Sequence, residues 1–415
     1  MRVIVTGASS FLGQALLREL EKENEQSGGL QNGADSAGLQ PMTGAAGQGN
    51  NSRADMLCSA ADKSAGTGFE IIAFRHSFEE APERLPEQAD AWVHFAWAGV
   101  GSAGRSDRQI QDYNVEMSMA ALQKAAALGC TRFLFAGSQA EYGRAKLAAE
   151  PDDVIAEEAA YVRKTDATGK TVESGGGMSE ENALHLRKTD IAEDISAAGS
   201  FSAERESFNS KTFKSRTVLR QCENAVCMPQ SEYGKAKLAF GQRAARWTAD
   251  WNEDDVLQRL RFVHMRIFSV YGPGDHAGSL IQSCMEHFEK QEAMQLGPCT
   301  QDWDYLYIDD AARAVAGLLR SETAEGIYNV ASGHIRPLRE FVLELRELLQ
   351  SGSELQFGVR GNNAEGAVPL CPSVRRLREE TGFQPQISFL EGVRRLQAAM
   401  RAVPGTGSDI GAEKK

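Results

Sequence analysis

A tyrosine and a lysine stand four residues apart in the stretch 231–237, SEYGKAK, which opens an amphipathic run. On an α-helix this spacing puts the side chains of Tyr233 and Lys237 on one face, one turn apart. A phenol ordinarily has a pKa of about 10, which is too high for a good base at neutral pH. Because a neighbouring ammonium favours the phenolate, such a pair can move a proton to or from a hydroxyl group. An exposed helix face can carry the same two residues, so the pair needs support from the rest of the chain.

A second pair with the same spacing, Tyr142 and Lys146, competes with the first. It belongs to a near repeat, since residues 141–148 read EYGRAKLA and residues 232–239 read EYGKAKLA. Tyr142 lies only four residues after a predicted strand at 132–138, which is too close for a separate helix to bring it back over a bound cofactor. Pro151 would also soon end any helix there. We therefore favour Tyr233 and Lys237, which open a long helix.

The N-terminal residues predict a dinucleotide-binding unit. An apolar, β-branched run at 2–6 leads into GASSFLG at 7–13, and a helical pattern follows. Gly7 permits the tight turn and Gly13 lets the helix pack close to the strand. The helix N-terminus then offers free amides and a positive dipole end to a pyrophosphate. Ser10 replaces the middle glycine of the usual pattern, so a plain strand-to-helix turn stays an alternative.

Further apolar runs predict a parallel sheet. Strand patterns lie at 69–74, 91–96, 132–138, 261–268, 303–308 and 327–330, and helical patterns separate most of them. This alternation is typical of a doubly wound α/β fold with helices on both faces. The strand 132–138 ends on Ser138. Trp97 begins a turn of small residues that can lie under a cofactor.

One residue bears on the choice of cofactor. An acidic residue at the end of the second strand binds the ribose 2′-hydroxyl of NAD, whereas an arginine suits the 2′-phosphate of NADP. The sequence has Arg75 there and no acid. This favours NADP over NAD, although an arginine at this place can also be a solvated strand end.

Two polar stretches interrupt the pattern. Residues 22–68 are rich in Gly, Asn, Gln, Ser and Ala, and residues 147–228 are polar with little periodicity. Neither can bury enough apolar surface to offset its ordering entropy, so we expect two long low-complexity insertions. They fall within a Rossmann domain predicted for 1–270. A smaller α/β substrate domain is predicted for 271–402, with a disordered tail at 403–415.

Composition narrows the class of protein. The 415 residues are 42% hydrophobic and 25% charged, with a net charge of −12 and no basic block, which argues against nucleic acid or anionic membrane as a partner. Seven scattered cysteines show no zinc-like spacing, so no metal is expected. The chain shows no signal peptide and no apolar run long enough for a bilayer. A cytoplasmic protein is expected.

Together these residues resemble the extended short-chain dehydrogenase/reductase family, the NAD(P)-dependent nucleotide-sugar epimerases, dehydratases and 4-keto-reductases. Each motif is weak alone, but their order and spacing cover nearly all of the chain outside the two insertions. The motifs are Thr6, Gly7 and Gly13, the run 93–96, Asn114, the run 135–138 with Tyr142 and Gly143, Tyr233 with Lys237, the run 266–273, Asp304 and Tyr305 with Asp309 and Asp310, and the run 328–330.

The resemblance implies a role for each matched position. Ser138 would hydrogen-bond the reacting sugar oxygen, Tyr233 would be the general acid or base, and Lys237 would hold the nicotinamide ribose and lower the pKa of Tyr233. The substrate would contact Ser138, Gln139 and Ser269. The cofactor would contact Tyr233, Lys237 and a longer set: Gly7, Ser9, Ser10, Phe11, Leu12, Gly13, Arg75, Phe95, Ala96, Trp97, Asn114, Ile267 and Phe268.

Four positions depart from the family pattern. Dehydratases carry Asp-Glu directly after the serine or threonine, where this chain has Gln139 and Ala140, so elimination of water is not expected. Ser269 stands where many epimerases have Asn, and Trp303 stands where an Arg commonly touches the nucleotide phosphates. These differences leave the sugar and the nucleotide base open.

Two classes of function follow. The first is an oxidoreductase or epimerase acting at C4 of a nucleotide sugar, by reduction of a 4-keto-6-deoxy sugar or by 4-epimerisation. The alternative is a catalytically inactive NAD(P)-binding regulator or scaffold of the same fold. The resemblance also suggests a homodimer that includes the Tyr233 helix.

Overall fold

The computed structural model describes residues 1–29, 68–101, 103–147, 219–254, 259–276, 278–361 and 368–402. In chain order the first elements are β1 Arg2–Thr6, α1 Phe11–Gly29, β2 Glu70–Phe74, β3 Ala91–His94, α2 Arg108–Ala127, β4 Arg132–Ser138, α3 Glu232–Asp254 and β5 Arg261–Ile267. The later ones are β6 Ser269–Tyr271, α4 Leu280–Glu289, β7 Met294–Leu296, β8 Asp302–Trp303, β9 Tyr305–Tyr307, α5 Ile308–Arg320, β10 Gly326–Val330, β11 Arg336–Pro337, α6 Leu338–Leu348, β12 Leu355–Phe357, α7 Arg375–Thr381 and α8 Phe389–Ala402.

Six strands form one parallel sheet in the order β10-β5-β4-β3-β1-β2. The carboxyl ends of the strands therefore share one edge, at which Ser138 pairs in register with Ile267 and His94 with Phe135. Three two-stranded sheets, β6 with β9, β7 with β12 and β8 with β11, accompany the later helices. This confirms the predicted doubly wound parallel α/β fold.

The sheet is covered on both faces because its strands are apolar on both sides. Val3 and Val5 of β1 pack on one face with Leu16 of α1 and Val315 of α5. Side chains of α2 and α3 cover the other face. Each of these aliphatic residues has less than 1% of its surface exposed, and burial of one stabilises the fold by about 1.5–3 kcal/mol.

His94 is a core residue whose ring is fully bonded. Its Nδ1 lies 2.7 Å from Thr6 Oγ1 and its Nε2 lies 3.0 Å from Ser118 Oγ. Thr6 Oγ1 also accepts from Trp92 Nε1 at 3.1 Å, so its own proton is directed to His94 Nδ1. Burial, with a smaller effect of the Lys237 charge, lowers the pKa of His94 to about 3. The ring is therefore neutral, as expected for a strand histidine.

We expect His94 to make folding stability depend on pH. In the unfolded chain a histidine binds a proton near pH 6.5, whereas the folded ring does so only near pH 3. Stability from this group is therefore complete above pH 6.5 and is lost as pH falls toward 3. From pH 7.5 to 5.5 the loss is about 1.4 kcal/mol. Urea unfolding at both pH values, with His94→Gln as the control, measures it; equal pH slopes in the two proteins would contradict the assignment.

The boundaries of both predicted insertions differ from expectation. α1 continues to Gly29, and Asn24 exchanges two hydrogen bonds with the Phe69 peptide, at 2.9 and 2.7 Å. Gln221 is buried and pairs with the backbone of Cys371, while Met228 pairs with Gly143. The sequence was misleading there because long-range hydrogen bonds, not local apolar pattern, order these residues. Residues 30–67 and 148–218 lie outside the described ranges.

The predicted division at residue 270 does not separate the sheet from the rest. β10 and α5, which follow that point, supply the sixth strand of the sheet and part of its core. The described residues belong to one compact unit, Met1–Ala148 with Leu219–Lys415. A second core, which includes Phe288 of α4, Leu345 of α6 and Leu396 of α8, lies within the predicted substrate domain. The tail 403–415 is outside the described ranges.

The described ranges contain neither a candidate membrane span nor a candidate metal cluster. No helix in them is both long enough and apolar enough to cross a bilayer. No group of three or more His, Cys, Asp or Glu side chains in them is placed to hold a metal ion.

Candidate active site

Tyr233 and Lys237 lie in the first turns of α3 and face the sheet, with exposed fractions of 9% and 3%. The Lys237 ammonium donates to the Ala136 carbonyl at 2.6 Å and lies 3.8 Å from the centre of the Trp97 ring. It is 5.7 Å from the centre of the Tyr233 ring. Burial lowers the pKa of Lys237 to about 7, and the Glu141 carboxylate opposes that shift. The two side chains thus share one face, as the spacing predicts.

Ser138 lies at the carboxyl end of β4, where a short 3₁₀ turn over Gln139–Glu141 begins. Its Oγ accepts from the Ala140 N–H at 3.2 Å. Residue 234 packs so closely on this turn that a Cβ there would overlap the Ala140 carbonyl oxygen. The start of α3 therefore touches the chain on both sides of Ser138: Lys237 contacts β4 two residues before it, and residue 234 contacts the 3₁₀ turn two residues after it. This brings the three predicted catalytic residues to one edge of the sheet.

Tyr142 occupies a different environment from Tyr233. It is fully buried, and its hydroxyl donates to Asn329 Oδ1 at 2.7 Å. Burial raises the pKa of Tyr142, and the Arg266 guanidinium lies 4.4 Å from the centre of its ring. Lys146, its partner in the sequence pattern, is exposed. These contacts make Tyr142 part of the core.

The loop after β3 covers the start of α3. Phe95 and Ala96 are buried, and Trp97 Nε1 donates to Gln111 Oε1 at 2.8 Å. The Arg105 guanidinium lies 4.4 Å from the centre of the Tyr233 ring. The sequence analysis missed Arg105 because no local motif marks a cation that reaches the site from a loop.

Asn114 holds the loop after β3 through its side-chain amide. It is fully buried in α2; its Oδ1 accepts from the Ala98 N–H and its Nδ2 donates to the Ala98 carbonyl, both at 2.9 Å. Both polar groups are thus used to hold the loop after β3. Asn114 therefore positions this loop, and its assignment as a cofactor-binding residue stays a prediction.

The turn between β1 and α1 explains the serine in the glycine motif. Ser10 Oγ accepts from the Gly13 N–H at 3.1 Å and so caps α1. Ser9 Oγ donates to the Arg75 carbonyl at 2.7 Å, which fixes the turn against the end of β2. Within the described ranges no acceptor is recorded for the N–H groups of Phe11 and Leu12. These two donors at a helix N-terminus suit a phosphate.

The remaining predicted cofactor and substrate residues lie at two strand ends. Arg75 is exposed directly after β2. Ile267 ends β5, and Phe268 is buried, with its N–H donating to the Val330 carbonyl at 3.0 Å. Ser269 opens β6 and is half-buried. The roles assigned to these four residues stay predictions.

A cavity of about 470 Å³ opens beside the residue that follows Ser138. Gln139, Ala140 and Gln230 line one side, and residues of the predicted substrate domain, among them Gln301, Trp303 and Arg360, line the other. Oε1 of Gln139 and Oε1 of Gln301 are buried and have no donor among the described residues. Two acceptors of this kind suit a ligand that carries hydroxyl groups.

A buried charged cluster behind Ser138 was also missed by the sequence analysis. Glu141 is fully buried; its Oε1 accepts from Ser138 N–H at 2.8 Å and lies 3.0 Å from His264 Nε2, and its Oε2 accepts from Arg266 Nε at 3.1 Å. Burial alone would raise the pKa of Glu141, but His264, Arg266 and the Ser138 N–H together lower it. The signal in the sequence was the pair of polar residues inside the otherwise apolar strand RFVHMRI.

Comparison with curated proteins finds distant relatives. The chain is 26% identical over 179 residues to GDP-6-deoxy-D-mannose reductase of Pseudomonas aeruginosa, covering 41% of this chain and 56% of the relative. It is 28% identical over 197 residues to ADP-L-glycero-D-manno-heptose-6-epimerase of Cupriavidus pinatubonensis, covering 40% and 56%. The chain thus spans about half the length of the curated relatives it matches.

Solved structures share the fold at low sequence identity. RMD from Pseudomonas aeruginosa complexed with NADPH matches with a TM-score of 0.57 and 18% identity, covering 96% of this chain and 98% of that one. DesIV, the dTDP-glucose 4,6-dehydratase of Streptomyces venezuelae with NAD bound, matches with a TM-score of 0.61 and 18% identity, covering 97% of each. UDP-glucose 4-epimerase of Thermotoga maritima with UDP-glucose gives 0.57 and 16%, covering 97% and 99%.

A family model matches most of the chain. The description of that family is NAD dependent epimerase/dehydratase, and the match takes in residues 3–165 and 214–331, more than half of the sequence. The matched ranges include β1 with its glycine turn, Ser138, and the Tyr233 helix. The chain therefore belongs to the NAD-dependent epimerase/dehydratase family, a family of enzymes.

Proposed function

We propose that this protein is an NAD(P)-dependent oxidoreductase or epimerase acting at C4 of a nucleotide sugar. The observation that carries the proposal is that α3 contacts the chain on both sides of Ser138. Lys237 donates to the Ala136 carbonyl, and residue 234 packs against the Ala140 carbonyl. A hydroxyl, a phenol and an ammonium are thereby held at the carboxyl edge of a parallel sheet, where such folds bind ligands. The curated relatives, a nucleotide-sugar reductase and a nucleotide-sugar epimerase, support the same class.

Each side chain has a distinct task in this proposal. The Ser138 hydroxyl donates to the sugar oxygen at C4 and polarises the carbonyl. The Tyr233 phenol gives a proton to that oxygen in reduction, or takes it in oxidation, and the Lys237 ammonium favours the phenolate that results. The nicotinamide, when bound, would supply or take up the hydride.

The residues of the first turn suit a dinucleotide. The N–H groups of Phe11 and Leu12 would hold the pyrophosphate, and the close turn at Gly7 and Gly13 leaves room for it. Arg75, exposed after β2, would contact the 2′-phosphate, so we propose NADP rather than NAD. One matched structure contains NADPH and another contains NAD, so the comparisons leave this choice open.

The cavity beside Gln139 would take the sugar nucleotide. Its two unpaired amide oxygens, of Gln139 and Gln301, would accept hydrogen bonds from sugar hydroxyls. Trp303, where the family commonly has an arginine, offers a ring face instead of a charge. Gln139 and Ala140 replace the acid pair of the dehydratases, so we propose oxidoreduction without loss of water. The homodimer and the cytoplasmic location stay predictions.

The first measurement is to denature the purified protein and identify any nucleotide that it releases. Stoichiometric NAD indicates a cofactor that stays bound, as a 4-epimerase requires. An empty protein that binds NADPH more tightly than NADH supports a reductase and the role of Arg75. An empty protein that binds neither would contradict the proposal and favour the regulator alternative.

A further inference from the structure

The Glu141 carboxylate links Ser138 to the strand beside it. One of its oxygens accepts from the Ser138 N–H and lies within hydrogen-bond distance of His264, and the other accepts from Arg266. Arg266 also donates to the Glu223 carbonyl at 3.1 Å, so its position does not depend on Glu141 alone. A carboxylate that accepts three hydrogen bonds while fully buried is held in one place.

Two glycines make room for this cluster. A Cβ at residue 137 would lie 2.6 Å from Glu141 Oε1 and would overlap His264 Nε2. A Cβ at residue 241 would overlap the His264 ring from the other side. Because Gly241 follows Tyr233 and Lys237 at four-residue spacing, it lies on the same face of α3. The His264 ring therefore sits between β4 and the helix that carries the reactive pair.

We propose that Glu141, held by His264 and Arg266, is the positioning residue that fixes Ser138 relative to Tyr233 and Lys237. The inference rests on the function proposed above and adds a residue to it. The Ser138 backbone is fixed by a direct hydrogen bond, and α3 is fixed through the His264 ring in the gap at Gly241. One buried carboxylate thus fixes the position of Ser138 and, through His264, the position of the helix that carries Tyr233 and Lys237.

The same carboxylate also acts on Lys237 through its charge. Burial is the main cause that lowers the Lys237 pKa, and the Glu141 charge is what opposes it. The other groups that face this ammonium are Tyr233 on its own helix and the neutral His94 on β3; Arg105 lies on the far side of the Tyr233 ring. Glu141 is thus the negative charge that opposes the effect of burial on the pKa of Lys237.

The variant Glu141→Gln tests the proposal. Glutamine has an N–H₂ group in place of one of the two carboxylate oxygens. At least one of the three groups that donate to Glu141 therefore faces another donor, and Ser138 is no longer held in its place. We expect turnover to fall about 100-fold, with NADPH affinity changed less than threefold. We also expect the Lys237 titration, followed by the ¹³Cε resonance of labelled lysine and assigned with Lys237→Met, to have a lower midpoint than in the wild type, because the Glu141 charge raises the pKa of Lys237.

Glu380→Gln is the matched control. Glu380 accepts from Ser321, Thr323 and Tyr328 and lies outside the cluster, so the same change removes a similar set of hydrogen bonds. We expect it to leave turnover and the Lys237 midpoint unchanged. Equal effects in the two variants, or a Glu141→Gln protein with wild-type turnover, would overturn the proposal.

A double variant covers the case in which Glu141→Gln fails to fold. Glu141→Leu with Arg266→Met removes both charges, a change that buried pairs often tolerate. We expect a folded protein with low turnover, because the Ser138 N–H has lost its acceptor; full turnover would overturn the positioning role. If the wild-type protein turns over no nucleotide sugar, the proposed function fails, while the Lys237 titration still decides the role of Glu141.

Discussion

Replacing Tyr233 with phenylalanine is expected to lower turnover by a factor of about 100 to 10,000, the usual contribution of a positioned acid or base. The ring itself packs edge-on against Trp97, with 6.4 Å between centroids, and under the Arg105 guanidinium at 4.4 Å. Phenylalanine retains these contacts and loses only the hydroxyl. The fold and the affinity for the cofactor should therefore stay close to those of the wild type. Steady-state turnover, NADPH binding and thermal unfolding together measure this.

Tyr142→Phe is the matched control, because it removes a tyrosine hydroxyl from the near repeat of the same motif. The hydroxyl donates to Asn329 Oδ1 in the core, and its loss leaves that oxygen without this donor. We expect a destabilisation of about 1–3 kcal/mol with turnover unchanged. The reverse result, in which Tyr142→Phe loses turnover and Tyr233→Phe keeps it, would show that Tyr142 and Lys146 are the reactive pair.

The fold was predictable because its strands carry their own signal. Runs such as RVIVT at Arg2–Thr6 and RFLFAGS at Arg132–Ser138 are largely apolar on both faces, and Gly7 follows the first of them. Such strands are stable only in a sheet covered on both sides. The predicted positions of Tyr233 and Lys237 on one helix face followed from spacing alone, since helix geometry fixes it.

Contacts across long stretches of sequence were not predictable from local pattern. Arg105 reaches Tyr233 from a loop more than a hundred residues earlier, and Glu141 meets His264 and Arg266 across a similar distance. A single sequence shows the residue types but not which distant residues are in contact in the fold. Asn114 shows the converse, because a residue type expected at a cofactor is used to hold the Ala98 peptide.

The predicted ends of the two polar stretches differ from the observed ones for the same reason. Gln221 and Asn24 look like loop residues, yet each has an amide that pairs with a distant backbone. Polar composition predicts little apolar burial, but it does not predict a specific hydrogen-bond partner. The division at residue 270 stays a prediction, but β10 follows that residue and returns to complete the sheet, which sequence order alone does not reveal.

Replacing Gly7 with alanine is expected to lower the free energy of unfolding by about 2–5 kcal/mol. Gly7 has φ +74°, a conformation that costs an L-residue about 1–2 kcal/mol. Its added Cβ would also lie 2.5 Å from the Ala96 nitrogen and 2.6 Å from the Phe95 carbonyl carbon. Both are backbone atoms of the loop after β3, so a chain shift is required, at a further cost of about 1–3 kcal/mol. Urea unfolding gives the difference.

Gly358→Ala separates backbone strain from overlap. Gly358 has φ +80°, close to that of Gly7, but nothing lies within 4 Å of the position its Cβ would take. This variant should therefore lose only about 1–2 kcal/mol. Equal losses in the two variants would show that the β1 turn does not pack tightly against the loop after β3. Since that loop carries Trp97 and Arg105, we also expect Gly7→Ala, unlike Gly358→Ala, to weaken NADPH binding in the fraction that remains folded.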